Sequence, residues 1–190
     1  MKLYRLPVAD HRNAAAANLD PQSPRHPATC IPIGVFARMD MTWVTDRIAV
    51  GGGIWTADKM AQVAQAGVTH IIDMQIEFDD TPLAEPHGIA VHWNPTDDDF
   101  QLKAPGVFQP AVNFALKALN NGNGNRLFIH CAAGVHRAPM MTLAILRALG
   151  FALPEAMEMI ESRRPVVDFA AVYVRSVENF IRSYEAELKK

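Results

Sequence analysis

Cys131 and Arg137 frame the stretch FIHCAAGVHRAP, residues 128–139, with Ala132, Ala133, Gly134, Val135 and His136 between them and His130 just before. An uncharged cysteine is a small core residue, so packing is one reading of Cys131. The other is chemical. Apolar residues before the cysteine read as a buried strand, and the run from His136 reads as a helix. A cysteine at that junction meets helix amides that have no intrahelical partner, together with the positive end of the dipole. That field favours a nucleophilic thiolate. Small residues at 132–134 let backbone amides approach a phosphate closely. Arg137 adds a planar fork for two of its oxygens. C-x5-R alone is a weak spacing, and His130, Gly134 and the strand–turn–helix context sharpen it.

The elements that must position this loop can be read on either side of it. DRIAVGGG is a short strand entering a glycine turn, and regular structure is expected to begin near Val44. GGG at 51–53 is a turn and not a nucleotide loop, because no Gly-Lys-Ser/Thr follows. TADKMAQVAQAG is a helix with Thr56 as N-cap and Gly67 past its end. VTHIIDM and GIAVHWNP are strands, TDDDFQLKAPG is a loop, and residues 107–120 form a helix with Pro110 in its first turn. RLFIH is a strand apolar enough to be buried on both faces. HRAPMMTLAILRALG is a central helix, and LPEAMEMIESRR and FAAVYVRSVENFIRSYEAELKK are two more. Strands alternating with helices predict an α/β fold, a central mainly parallel sheet flanked by helices. Prolines 21, 24, 27 and 32 set residues 1–42 apart as an N-terminal arm, leaving 43–190 as the domain.

Composition narrows the classes. The 190 residues are 49% hydrophobic and 20% charged, which supports a sizeable core. A formal charge of −2 argues against nucleic acid or an anionic membrane as partner. Two cysteines form no disulfide framework, and no apolar run has signal-peptide or membrane-spanning length, so a cytoplasmic protein is expected. No cofactor is called for. A zinc site from His130, Cys131 and His136 lacks a fourth ligand.

HCAAGVHRAP resembles the signature loop of the cysteine-dependent protein tyrosine phosphatases, most closely the dual-specificity branch. VTDRIAVGG, AGVTHIIDM, GIAVHWNPTDDD and EAMEMIESRRP fall in that family's order, so the resemblance covers roughly residues 43–185. It implies a protein tyrosine phosphatase-like fold and in-line attack of Cys131 on a phosphomonoester, giving a phosphocysteine without a metal. Arg137 and the amides of 132–137 would bind phosphate, and His130 would orient the loop and tune the thiolate. The general acid would be an Asp about thirty residues earlier: Asp97 first, Asp98 second, Asp99 last.

Two departures stand out. Ala138 replaces the usual Ser or Thr, which implies slow breakdown of the phosphocysteine; plant glucan phosphatases share Arg-Ala-Pro. His136 replaces a small or hydroxyl residue, and either donates to the phosphate or turns to solvent. The expected substrates are phosphotyrosine, with phosphoserine, phosphothreonine or a phosphoglucan as alternatives. A non-enzymatic phospho-ligand binder and a sulfurtransferase are the readings from other classes. Arg163 and Arg164 read as a solvated helix end, with a brace for the phosphate loop or a nearby acidic group as the competing reading of RRP; Trp55, Trp93 and the methionines read as core, and Cys30 is weighed as a redox partner of Cys131.

Overall fold

The computed structural model describes residues 38–122 and 124–189, so expectations for the Pro-rich segment up to residue 37, including Cys30, lie outside it. Within these residues the strands are β1 Met41–Trp43, β2 Ile48–Gly51, β3 His70–Asp73, β4 Ala90–Trp93 and β5 Leu127–His130. They form one sheet in the order β1-β2-β5-β3-β4, parallel except for β1 against β2. The helices are α1 Ala57–Gln65, α2 Thr81–Ala84, α3 Pro105–Asn120, α4 Arg137–Ala148, α5 Leu153–Glu161 and α6 Ala171–Leu188, with a 3-10 turn at Glu85–His87. This is the mainly parallel α/β sheet that alternating patterns predict.

Strand alternation divides the core. Val50, Ile72, Leu127 and Ile129 face the helices α3 to α6, while Ala49, Ile71 and Phe128 pack with Met60 and Val63 of α1. The middle strand, β5, is buried along its whole length. Because α1 crosses one face of the sheet and α3 the other, a crevice opens at the carboxyl end of β5. Cys131 sits there. Helix α4 leaves the crevice as the central helix, with every residue from Arg137 to Leu146 buried.

Several expectations are corrected. β1 begins at Met41, ahead of Val44, because a three-residue edge strand carries no readable period. α3 begins at Pro105, so Pro110 lies in its second turn. Pro105 takes the first helical position, where a missing N–H costs nothing, and Pro110 gives up one helix hydrogen bond. α2 and the turn after it, which no pattern announced, are too short for periodicity and start around Pro82 and Pro86. Trp55 and Trp93 are each 43% exposed and are not core. Met60, Met74, Met140 and Met141 are. Thr56 caps α1 as expected, its side chain accepting from the Lys59 amide. No helix among the described residues is long and apolar enough to cross a membrane.

Candidate active site

Cys131 is buried at the end of β5, and the Gly134 amide donates to its Sγ at 3.3 Å. Gly134 takes φ +66°, and a Cβ there would meet the Gly51 carbonyl at 2.5 Å. Only glycine fits so tight a turn against β2. Among the described residues, the amides of Ala132, Ala133, Val135 and His136 donate to no protein acceptor, which leaves them for an anion. The loop is clamped from outside by the glycine turn: Gly53 N donates to Ala132 O at 3.1 Å, and Cys131 N to Gly51 O at 3.4 Å.

Arg137 is 4% exposed and held from several directions. Its Nη1 and Nη2 donate to the two Glu77 carboxylate oxygens at 3.0 and 2.9 Å, and Nη1 also reaches Thr96 O. Burial works against its charge, but Glu77, Cys131 and Asp98 outweigh that and raise its pKa above the ordinary value. Arg137 in turn holds the Glu77 carboxyl below its usual range. Nε is buried without a hydrogen-bond partner among the described residues, 3.9 Å from Asp98 Oδ2. Glu77 was missed by sequence reasoning: a lone acid two residues before a pair of aspartates carries no spacing signal.

The three candidate acids go to different places. Asp97 is exposed, and Asp99 pairs with Lys103. Asp98 lies over the loop. Its Oδ1 accepts from the Tyr173 hydroxyl at 2.8 Å, and its Oδ2 is 3.0 Å from His136 Nδ1. The segment carrying it is docked on α6, with Phe100 N donating to the Tyr173 hydroxyl and Lys103 N to Ser176 Oγ, each at 3.0 Å. Burial and the neighbouring Asp98 carboxylate push the Tyr173 hydroxyl up to about 12. The His136 imidazole bridges two acids, with Nε2 3.4 Å from Asp168 Oδ2, so it is not turned to solvent.

His130 and Arg164 support the loop from behind. His130 is fully buried, stacked on Phe128, with Nε2 2.8 Å from Asp80 Oδ2 and 3.8 Å from Asp73 Oδ1. Asp73, Asp80 and His130 bring ligand-type atoms within 4.8 Å of one another, whereas the His136 imidazole is taken up by Asp98 and Asp168. Burial pushes the Asp73 carboxyl up to about 6. At Arg164 the solvated-helix-end reading gives way to the competing one, a brace for the loop and a nearby acid. It is 5% exposed, and it donates to Gly134 O, Ala133 O and both oxygens of Asp40, while Arg163 is exposed. The proline after it was the signal: a chain turn holds Arg164 inward.

A family model described as dual specificity phosphatase, catalytic domain, matches residues 53–183. The chain is similar to dual specificity protein phosphatase 5 of Rattus norvegicus, 27% identical over 117 residues, 61% of this chain and 29% of that protein. It is also similar to phosphoglucan phosphatase DSP4, amyloplastic, of Castanea sativa, 28% identical over 137 residues, 66% of this chain and 36% of that one. The chain thus spans about a third of the length of these relatives. Its fold resembles a crystal structure of PTPMT1, with a TM-score of 0.68 at 18% identity, covering 78% of this chain and 98% of that one.

Proposed function

Because this chain belongs to the dual specificity phosphatase catalytic-domain family, we propose that it hydrolyses phosphomonoesters through a phosphocysteine on Cys131. The observation that carries the reading is a buried cysteine receiving the Gly134 amide, within a loop of unpartnered amides closed by an Arg137 fork that Glu77 aligns. In the first step Cys131 Sγ attacks phosphorus in line, and the ester oxygen leaves with a proton from Asp98. In the second, water attacks the phosphocysteine, giving a proton to Asp98, and the thiolate leaves. Asp98 is preferred to Asp97 because its carboxylate faces the loop and Arg137, whereas Asp97 is exposed.

Exposed apolar side chains lie near residues that contact the loop: Trp55 is two residues after Gly53, Phe78 follows Glu77, and the Phe100 ring lies edge-on to His136 at 5.0 Å. Such a rim suits a phosphate carried on an aromatic ring, so phosphotyrosine is the favoured substrate, within a phosphorylated protein. The Castanea sativa relative supports a second reading, a phosphoglucan, since a sugar face can stack on the same rings. Both substrates, with EDTA present, are to be compared in wild type, Cys131→Ser, Asp97→Asn and Asp98→Asn. The expected result is higher kcat/KM on the phosphotyrosyl peptide, no turnover in Cys131→Ser, and a loss of about 100-fold in Asp98→Asn but not in Asp97→Asn. Equal losses at both aspartates would overturn the assignment of the acid, and a preference for phosphoglucan would reverse the substrate order.

A further inference from the structure

We propose that His136 is a positioning residue for the general acid, holding Asp98 through Nδ1 and passing a proton to it. This rests on Asp98 as the acid. The groups facing that carboxylate are donors: the Tyr173 hydroxyl from α6 at Oδ1, His136 Nδ1 at Oδ2, and Arg137 Nε from α4 at 3.9 Å. The leaving oxygen, however, needs a proton. Tyr173, pushed up to about 12, is too weak an acid to supply it at neutral pH. An imidazole both holds and releases a proton there.

The surroundings fit that task. His136 lies between two carboxylates, Asp98 at Nδ1 and Asp168 at Nε2, so each ring nitrogen faces a carboxylate oxygen. Asp168 is anchored to the loop itself, its amide donating to Val135 O at 3.1 Å. The Phe100 ring packs edge-on to the imidazole, and Tyr173 lies 6.4 Å away. The cations nearby are Arg137, committed to Glu77, and Lys103, committed to Asp99.

The steps balance. As the phosphorus–oxygen bond of the ester breaks, its electron pair stays on the leaving oxygen, which takes a proton from Asp98. Asp98 takes one from Nδ1, leaving neutral His136. When water attacks the phosphocysteine, its proton passes through Asp98 to Nδ1, the sulfur–phosphorus pair returns to Cys131, and phosphate departs. No oxidant, reductant or further reactant is needed.

The test is the pH profile of kcat for phenyl phosphate, whose leaving group requires protonation, and for a dinitrophenyl phosphate, whose leaving group does not. It compares wild type, His136→Gln and Asp98→Asn, with Tm read for each and His136→Asn replacing the glutamine variant should that fail to fold. The glutamine keeps a donor beside Asp98 but cannot titrate. On phenyl phosphate, His136→Gln is expected to lose tenfold or more, on the order of what one proton-transfer group supplies, and its descending limb is expected to move to lower pH. On dinitrophenyl phosphate the loss is expected to be small. A glutamine variant that keeps the wild-type descending limb, merely scaled down, would show His136 to be a packing residue. Wild-type turnover of phenyl phosphate by Asp98→Asn would instead overturn Asp98 as the acid.

Discussion

At Arg164 a single guanidinium joins Asp40 ahead of β1, Thr42 within it, and two carbonyls of the loop between Cys131 and Arg137. Removing it leaves those acceptors unpaired. Arg164→Met is expected to cost about 2 kcal/mol in urea unfolding, below the range for a fully buried pair because Asp40 is half exposed, and to raise KM as the loop loosens. Ala138 poses the opposite question, of a group that is missing. It is fully buried at the start of α4, and the one donor on Cys131 Sγ among the described residues is the Gly134 amide. A hydroxyl at 138 would add a second donor to the departing thiolate. Ala138→Ser is expected to speed phosphocysteine breakdown by about tenfold, the worth of one hydrogen bond to a charged group, read as a smaller burst and a faster steady state. An unchanged ratio of burst to steady rate would remove Ala138 as the cause of slow turnover.

The segment from Asp97 to Lys103 works as one element, although it is neither helix nor strand. Tyr173 holds it twice, donating to Asp98 and accepting from Phe100 N, while Phe100 adopts φ 56°, a left-handed value a side chain rarely takes. Tyr173→Phe removes both bonds and is expected to lower kcat for phenyl phosphate about tenfold with little change in KM, since the phosphate cradle stays intact. A change in KM alone would contradict that latch. This element also marks the limit of what the residues reveal on their own. β2, β3, β5 and α4 announce themselves through their apolar runs, and Cys131 and Arg137 through a loop whose parts are adjacent in the chain. Asp98, His136, Asp168 and Tyr173 meet across 75 positions, with no period or spacing that could pair them. Three consecutive aspartates look alike until a tyrosine and a histidine select one.

Across the whole molecule, the site is built at the end of a buried central strand and carries its charges inward. Asp73, at the end of β3, shows the consequence for stability. Its folded pKa of about 6 exceeds the ordinary 3.8, so between those values the folded state holds a proton that the unfolded chain has lost. Stability from this group is therefore present below the unfolded value and lost as pH rises from about 4 to about 6, by up to roughly 3 kcal/mol. Glu77 and Asp40, with lowered pKa values, act in the opposite direction and lose their contribution as pH falls, but both are well exposed and weigh less. Asp73→Asn is expected to match wild type near pH 4 and to exceed it at pH 7 in denaturant unfolding; a variant less stable at pH 7 would contradict the burial argument. The proposal makes Cys131, at the end of that strand, the nucleophile, and that is the claim to test most directly. The measurement is rapid-quench release of nitrophenol from para-nitrophenyl phosphate, with EDTA, in wild type and Cys131→Ser. The account predicts a burst stoichiometric with enzyme, followed by slower turnover, and neither phase in the serine variant. Wild type that binds vanadate yet releases no nitrophenol, or a serine variant that keeps the burst, would contradict it.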